Sequence, residues 1–251
     1  MQDQILVGEF NCYNLKFYKE LKSTNLEAMR PAGNAAHCTV ICAERQTEGK
    51  GKGSRRWISP PGNLYMSLIL HYKRDLEDLL QLSFVFSLAI GRVLESLTRL
   101  EASYKWPNDV LLCQKKIAGV LLESYSHHEN EAVVVIGAGL NILSYPGHTN
   151  FPATSLAEFI AQNNLPSPFE LLEQIILQFD SLEHEWRMFG FLGIKNMWIR
   201  RAFRLNDEIK VDTGTCFYEG IFSGIDGHGN LILSLQSGRS QLISYGDILK
   251  F

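Results

Sequence analysis

The chain has 251 residues, 45% hydrophobic and 20% charged, a balance that favours a compact folded protein over a long disordered one. With 24 Lys and Arg against 27 Asp and Glu, its net charge of -3 excludes the overall positive field of a general nucleic-acid binder. The five cysteines include no Cys-x-x-Cys pair, which argues against a disulfide framework or zinc knuckle and predicts reduced thiols in a cytoplasmic protein.

The N-terminal segment and the longest apolar segment both argue against export or membrane insertion. Residues 1–14 have neither the basic start nor the unbroken apolar stretch of a signal peptide. Residues 79–91 form the longest uncharged segment of helical character, well short of the ~20 residues that a membrane span needs. We therefore expect no signal peptide and no membrane partner.

Capping sequences and apolar periodicity predict the helices. The sequence Thr-Asn-Leu-Glu beginning at Thr24 is a capping box, and predicts a short helix over 24–30 that Pro31 ends. Apolar residues at steps of three and four predict one long helix over 76–100. Two further capping boxes begin at Ser155 and Ser167. The second has Pro at the first helical position and Gly190 after the last turn, and predicts a helix over 168–189.

Runs rich in β-branched and aromatic residues predict strands over 39–43, 64–71, 104–112, 117–123 and 132–136. A polar four-residue turn between two apolar runs predicts a hairpin over 111–117. After about Phe203, short apolar runs alternate with Gly-containing turns, which predicts a small β-barrel of about 50 residues.

The segment 48–57, Glu-Gly-Lys-Gly-Lys-Gly-Ser-Arg-Arg-Trp, alternates glycines with cations. Such a segment lets the backbone approach an anion while side chains neutralise it, and Trp57 offers a flat face for stacking. It therefore indicates a phosphate- or carboxylate-binding loop, although a solvated linker has the same composition. It is not a Walker A loop, which needs Lys-Ser/Thr directly after Gly, and it is not a Gly-x-Gly-x-x-Gly motif, because position 54 is Ser.

Two nearby segments carry further polar candidates. The segment 105–109, Lys-Trp-Pro-Asn-Asp, presents a cation, an amide and a carboxylate suited to phosphates and a divalent ion, or simply forms a turn at a strand edge. Lys116 falls at the end of the predicted hairpin turn, where a lone lysine is ordinarily exposed, so we expect its replacement to leave the fold intact. Ser23 and Thr24 are explained as helix caps, although a helix N-terminus also binds anions.

The segment 137–141, Gly-Ala-Gly-Leu-Asn, follows an apolar strand. Its glycines allow close approach of a flat ligand and Asn141 can read an adenine edge, although a tight turn explains the same residues. The seven histidines show no metal-ligand spacing, so no metal site is predicted.

In this order, the segments resemble the biotin protein ligase family. The matching residues are Ser23-Thr24-Asn25, 46–57, Ser59-Pro60, 63–65, 105–109, 116–119 and 137–141. The resemblance implies an α+β fold in which a mixed β-sheet flanked by helices, a class II synthetase-like catalytic domain, precedes a small SH3-like β-barrel. The corresponding domains are residues 1–202 and 203–251.

The resemblance also implies the reaction. Biotin and MgATP give biotinyl-AMP and pyrophosphate, and a specific lysine of the biotin carboxyl carrier protein of acetyl-CoA carboxylase, or of a related carboxylase, then takes the biotinyl group. The cofactors are ATP and Mg²⁺, biotin is a substrate, and a homodimer is left open.

Site residues transfer by their positions in the matching motifs. The catalytic residues are Lys116, Lys52 and Asp109, the last to orient or deprotonate the carrier lysine. The biotin-binding residues are Ser23, Thr24, Asn25, Gln46, Gly49, Lys50, Gly51, Lys52, Lys116 and Gly137. The nucleotide-binding residues are Lys50, Lys52, Trp57, Lys105, Asn108, Lys116 and Asn141.

The chain departs from the family pattern at three positions. The family commonly has Arg where this chain has Lys50 and Lys52, and lysine lacks the bidentate guanidinium fork. The family also often has Asp where Lys22 stands. Because the first motif starts at Ser23, we expect the ligase-only form without an N-terminal DNA-binding domain, and no DNA partner. A lipoate or octanoate ligase or transferase of the same fold, and a non-catalytic biotin sensor, are the alternatives.

Overall fold

The computed structural model describes residues 4–10, 12–30, 36–128 and 131–249. Within them, eight strands form one mixed sheet in the order β1-β2-β3-β4-β8-β7-β6-β5. Strands β2 and β3 are parallel and the other neighbours are antiparallel. The strands are β1 (Gln4–Phe10), β2 (Tyr13–Leu21), β3 (Thr39–Gln46), β4 (Leu64–Tyr72), β5 (Ala102–Lys105), β6 (Asp109–Leu112), β7 (Lys115–His128) and β8 (Glu131–Leu140).

The two faces of this sheet have different roles because side chains alternate along each strand. One face packs on helices α3 (Leu82–Thr98), α4 (Pro168–Phe189) and α5 (Phe191–Ile199) and forms the main core, which includes Met66 and Leu68 of β4. The opposite face contacts the short helix α1 (Thr24–Met29). Ser67 points to that second face, which carries the site.

Comparison with the sequence prediction confirms α4, including its capping box from Ser167 to Glu170 and Gly190 at its C-terminal end. The capping box predicted to begin at Thr24 was wrong, whereas the interpretation of Ser23 as a helix cap is confirmed. Ser23, with extended backbone, accepts from Leu26 N at 3.5 Å, and Thr24 is already helical. Pro31 lies outside the described residues. Ser155 makes no side-chain cap and precedes only a 3₁₀ turn over Leu156–Glu158.

The single helix expected over 76–100 is two helices, α2 (Leu76–Leu79) and α3. Gln81 lies at the break, where it accepts from Trp186 Nε1 at 2.7 Å and donates to the Gly227 carbonyl at 3.1 Å. In the described residues, Leu76–Thr98 is the one helical stretch whose length and composition would suit a membrane span, and 72% of its apolar window is buried inside the protein. Helices α2 and α3, which make up this stretch, are therefore part of the core of the fold.

Three strand predictions needed correction. Residues 104–112 form two strands rather than one, because Pro107 between them cannot donate to a ladder. The 111–117 hairpin has a two-residue turn, Cys113 and Gln114, both with positive φ, so Lys116 lies within β7. The glycines of 137–139 continue β8 rather than forming a turn. Strands β1 and β2 and helix α5 were not predicted.

The C-terminal region is a five-stranded antiparallel sheet in the order β12-β11-β10-β9-β13. Its strands are β9 (Glu208–Asp212), β10 (Phe217–Ile225), β11 (Leu231–Ser234), β12 (Ser240–Ile243) and β13 (Asp247–Ile248). The Gly-containing turns lie between strands as expected. Trp106 Nε1 donates to the Gly229 carbonyl at 2.9 Å, which joins this sheet to the segment between β5 and β6.

Candidate functional site

A cavity of about 440 Å³ opens on the α1 side of the main sheet. Its volume is within the range of small-molecule sites. Every site residue predicted from the sequence lines it except Gly49, so segments up to 118 residues apart in the chain, from Ser23 to Asn141, converge on one space. Gly49 lies behind the wall, where a Cβ would come within 2.4 Å of the Trp57 carbonyl oxygen.

One end of the cavity is formed by neutral hydrogen-bonding groups. Gln46 Oε1 accepts from the Thr24 backbone N–H at 2.8 Å and from its hydroxyl at 3.2 Å. Gln46 Nε2 donates to Ser59 Oγ at 2.9 Å. The Ser23 cap uses only a lone pair of its hydroxyl, so the Ser23 proton can be donated to a ligand. This end suits a neutral polar group such as a ureido ring.

Asn25 lies beneath that end and is almost fully committed to the protein. Its Oδ1 accepts from Ser67 Oγ at 2.6 Å, and its Nδ2 donates to Glu123 Oε2 at 2.8 Å and to the Leu121 carbonyl at 3.5 Å. A Cβ on Gly137 would come within 1.9 Å of Asn25 Oδ1, so glycine is required there. Asn25 therefore has at most one oxygen lone pair left for a ligand.

The glycine-rich segment is a narrow hairpin over the cavity. Gly51 N donates to the Arg55 carbonyl and Trp57 N to the Gly49 carbonyl, each at 2.8 Å, and Gly53 has φ +65° at the tip. The C-terminal sheet holds this hairpin through the Arg55–Asp247 ion pair at 2.9 Å. The segment is thus a structured loop in this fold, and not the solvated linker that its composition also allowed.

Lys52 is the loop cation whose environment differs most from that of a surface lysine. Its Nζ donates to the Gly246 carbonyl at 2.7 Å and lies 4.2 Å from the centre of the Tyr245 ring. Burial lowers the pKa of Lys52 to about 8, against the opposing effect of Asp247. Its charge is therefore sensitive to pH just above neutrality.

Trp57 forms a flat wall that depends on two strand glycines. A Cβ on Gly139 would lie 2.4 Å from the indole ring, and one on Gly119 would lie 3.0 Å from it. The Trp57 Nε1 is buried and has no hydrogen-bond partner among the residues that the structure describes. An indole with a wall of glycines can accept a flat ring beside it.

The opposite end of the cavity holds a buried charge cluster. Lys116 Nζ lies 2.6 Å from Asp109 Oδ1, and Lys105 Nζ lies 3.9 Å from Asp109 Oδ2. Burial by itself raises the pKa of Asp109, but Lys116 and Lys105 outweigh it and hold that pKa below its usual range. Burial lowers the pKa of Lys105. The cluster has more cations than carboxylates, so it suits an anionic ligand.

A β-bulge places Lys116 in this cluster. The register shifts between β6 and β7, with Val110 opposite Ala118 but Leu111 opposite Lys116, so Ile117 is the extra residue. Ile117 and Ala118 both belong to the core, which turns Lys116 onto the same face as Gly119. Without the bulge, strict alternation would direct Lys116 into the core.

Two predicted nucleotide contacts are already engaged within the protein. Asn108 Nδ2 donates to the Val120 carbonyl, and Asn141 Nδ2 donates to the Thr154 carbonyl at 3.0 Å. Both residues line the cavity, but their amide nitrogens hold the wall. Their side-chain oxygens are what remain for a ligand.

Several residues of the site were not predicted from the sequence. Ser67 was detectable, as a polar residue in an otherwise apolar strand. Glu123 was detectable by alternation with Gly119 and Leu121 along β7. The segment 148–153 lines the cavity but carries no recognisable motif, and its place depends on a bridge between Lys116 and Ala153. Among the described residues, no group of three or more His, Cys, Asp or Glu could hold a metal ion.

Known proteins share both sequence and fold with this chain. Residues 17–141 match the Biotin/lipoate A/B protein ligase family and residues 205–250 match the Biotin protein ligase C terminal domain. A biotin--[acetyl-CoA-carboxylase] ligase from Paracoccus denitrificans is 35% identical over 224 residues, which cover 86% of this chain and 92% of the relative.

A bifunctional ligase/repressor BirA from Bacillus subtilis is 30% identical, over 92% of this chain and 72% of its own length. A solved structure of biotin protein ligase from Aquifex aeolicus in complex with biotin and ATP has a TM-score of 0.80 at 28% identity. The match covers 93% of this chain and 97% of that one.

Proposed function

The chain belongs to the biotin protein ligase family, and on this premise we propose how its cavity joins biotin to ATP. The protein is an ATP-dependent ligase that forms biotinyl-AMP and transfers the biotinyl group to a carboxylase carrier protein. The observation that carries the proposal is the polarity of the cavity. Neutral hydrogen-bonding groups lie at one end, and Lys105 and Lys116 lie at the other.

We propose that the ureido head of biotin binds at Ser23, Thr24 and Gln46, with Asn25 and Gly137 forming the floor. The valeryl chain then extends along Lys50 and Gly51, which line the cavity in front of Gly49, toward the charge cluster. The biotin carboxylate and the α-phosphate of ATP meet near Lys116 and Lys52, whose charges reduce the repulsion between the two anions. The adenine lies against Trp57 near Asn141, and the phosphates lie near Lys105 and Asn108.

In the first step, a biotin carboxylate oxygen attacks the α-phosphorus and pyrophosphate leaves. In the second, a neutral carrier lysine attacks the carbonyl carbon of biotinyl-AMP and AMP leaves. Asp109 is a weak base for this lysine, because its two lysine neighbours hold its pKa low. We propose that Asp109 orients Lys116 and the incoming amine instead of deprotonating it.

The magnesium ion that accompanies ATP would be held mainly by the phosphates. Asp109 is the only carboxylate among the described residues that line the cavity, and it is already paired with lysines. Such a site fits the usual mode of Mg²⁺, which is carried by substrate phosphates with few protein ligands. The ion would supply charge neutralisation of those phosphates.

We further propose a carrier, a cellular location and a domain boundary for this protein, and that it has no DNA partner. The carrier is the biotin carboxyl carrier protein of acetyl-CoA carboxylase or a related carboxylase, and the protein acts in the cytoplasm. The boundary between the two domains lies at residues 202 and 203, which the C-terminal match beginning at residue 205 supports. The net charge of -3 supports an enzyme that does not bind DNA.

The test is to incubate the protein with biotin, MgATP and a carrier domain, and to weigh the carrier by intact mass spectrometry. We expect the addition of one biotinyl group, and none on a carrier whose target lysine is replaced by arginine. Lipoate in place of biotin is the control for the related ligases. An unmodified carrier with biotin, or equal modification with lipoate, would refute the proposal.

A further inference from the structure

Glu123 lies next to the cavity without lining it. It is on β7, two residues beyond Leu121 and four beyond Gly119, so alternation places its side chain on the face that carries the site. Its side chain is 30% exposed. In the register of the sheet it lies opposite Val135, two residue pairs past the pairing of Leu121 with Gly137. It is therefore at the rim of the neutral end.

The two carboxylate oxygens of Glu123 have different partners. Oε2 accepts from Asn25 Nδ2 at 2.8 Å, and Oε1 lies 3.5 Å from Lys50 Nζ. Asn25 belongs to α1 and supports the neutral end, whereas Lys50 belongs to the glycine-rich hairpin and lines the cavity. One side chain thus connects the floor of the head-group site to a cation of the loop.

A second chain of hydrogen bonds reaches the other end of the same hairpin. It runs from Ser67 to Thr24, then to Gln46 and Ser59, whose hydroxyl donates to the Trp57 carbonyl at 2.9 Å. The single Ser67 hydroxyl proton is shared between Thr24 Oγ1 at 2.8 Å and Asn25 Oδ1 at 2.6 Å, so both chains meet at Ser67. This second chain contains only neutral groups, which leaves Glu123 and its partner Lys50 as the charged members of the network.

Resting on the proposed function, we infer that Glu123 is a positioning residue that couples the biotin head-group site to the glycine-rich hairpin. Its charge holds Lys50 at the cavity wall, and its Asn25 contact fixes the floor. Filling the head-group site restrains Asn25 and hence Glu123 and Lys50. Biotin therefore raises the affinity for the nucleotide phosphates, and by reciprocity ATP raises the affinity for biotin.

The variants separate the two contacts. Glu123→Gln keeps the size and an oxygen that accepts from Asn25, but it removes the charge facing Lys50. Glu123→Ala removes both contacts. Glu20→Gln is the matched control, because Glu20 is a strand glutamate with an ion pair to Arg45 at 3.2 Å, and its side chain is 53% exposed.

The measurements are the dissociation constants of biotin and of a non-hydrolysable ATP analogue, each alone and with the other bound. For Glu123→Gln we expect biotin alone to bind within about threefold of wild type, while the mutual enhancement falls by about 3- to 10-fold. For Glu123→Ala we expect weaker biotin binding as well. The KM for ATP should rise more than kcat falls, a split that a general loss of folded protein would not produce.

A double-mutant cycle with Lys50→Met completes the test. In that background we expect Glu123→Gln to cause no further loss of enhancement, because the cation it faces is gone. An equal loss in both backgrounds, or an unchanged enhancement in Glu123→Gln as in Glu20→Gln, would overturn the inference. If the neutral variant does not fold, Glu123→Asp replaces it. Its shorter side chain cannot span both partners, so the same loss is expected.

The design distinguishes this inference from the proposed function. Wild-type protein that releases no pyrophosphate from ATP with biotin would contradict the proposed function itself. Wild-type activity together with unchanged coupling in the Glu123 variants would contradict only the role of Glu123.

Discussion

Removing the Lys116 charge should impair both adenylation and folding, which corrects the expectation that its loss would leave the fold intact. Lys116 Nζ lies 2.6 Å from the Asp109 carboxylate, and the side chains of Lys116 and Asp109 are 25% and 12% exposed. Lys116→Met keeps most of the aliphatic stem and removes the ammonium group. The Asp109 carboxylate is then left with Lys105 at 3.9 Å as its nearest cation.

The cost follows from the degree of burial. Removing one partner of a fully buried ion pair costs about 3–5 kcal/mol, and partial exposure of Lys116 with the remaining Lys105 reduces this to about 2–3 kcal/mol. For a chain of this size, each kcal/mol lowers Tm by about 2–4 °C, so we expect a fall of about 4–12 °C. Adenylation should lose about 2–4 kcal/mol of transition-state stabilisation, since Lys116 lies where two anions meet.

The difference in stability between wild type and Lys116→Met should depend on pH. In wild type the Asp109 pKa is lowered by folding, so its ionised form adds stability that is lost as pH falls through the folded-state pKa. In Lys116→Met, the largest effect opposing burial is lost, so we expect the Asp109 pKa to lie above its wild-type value. Protonation of Asp109 as pH falls therefore destabilises the variant less than it destabilises wild type. The difference in stability between the two proteins should therefore be greatest at neutral pH and narrow toward pH 4.

The assay is urea unfolding at several pH values, with pyrophosphate release measured at a temperature where both proteins are folded. Lys115→Met is the matched control. The Lys115 side chain is 46% exposed and its Nζ lies 3.4 Å from Glu158 Oε2, so removing its charge should change the stability by less than about 0.5 kcal/mol. Equal stability of Lys116→Met and Lys115→Met, or adenylation by Lys116→Met near the wild-type rate, would contradict this prediction.

Three other predictions concern the ligands and the loop. Biotin with MgATP should raise the free energy of unfolding by about 2.7 kcal/mol at 100 times the dissociation constant, measured as a thermal shift, and equal shifts with lipoate would contradict the biotin assignment. Burial lowers the pKa of Lys52 to about 8 in the unliganded protein and a bound phosphate opposes that effect, so release of biotinyl-AMP, followed by labelling of an inert bystander protein, should increase only as pH rises above about 8. Lys52→Arg should suppress that increase, Lys52→Gly should leak at every pH, and identical leakage in all three would show that Lys52 does not retain the intermediate. Gly139→Ala should displace Trp57 and raise the KM for ATP about tenfold, as steady-state kinetics would measure, because its Cβ would lie 2.4 Å from the indole. Gly147→Ala, with nothing within 4 Å of a Cβ, is the control for that substitution, and an equal change in both variants would contradict a role for close packing on Trp57.

Features that depend only on neighbouring residues could be predicted from the amino-acid sequence. The capping box and apolar period of α4 act within one helix, so its bounds were predicted correctly. The strand cores of β3, β4 and β8 followed from β-branched and aromatic runs. The ordered motifs identified the family, because the glycines, cations and amides that form them can be recognised in the sequence.

The way in which those residues meet depends on the fold. The sequence showed that Lys116 and Asp109 are seven positions apart, but only a bulge at Ile117 turns Lys116 to the face where it pairs with Asp109. The glycines of 137–139 signal a turn locally, yet they lie in β8 because Asn25 and Trp57 need the space. Side-chain direction in a sheet depends on the pairing register with distant strands, and a local sequence pattern does not specify that register.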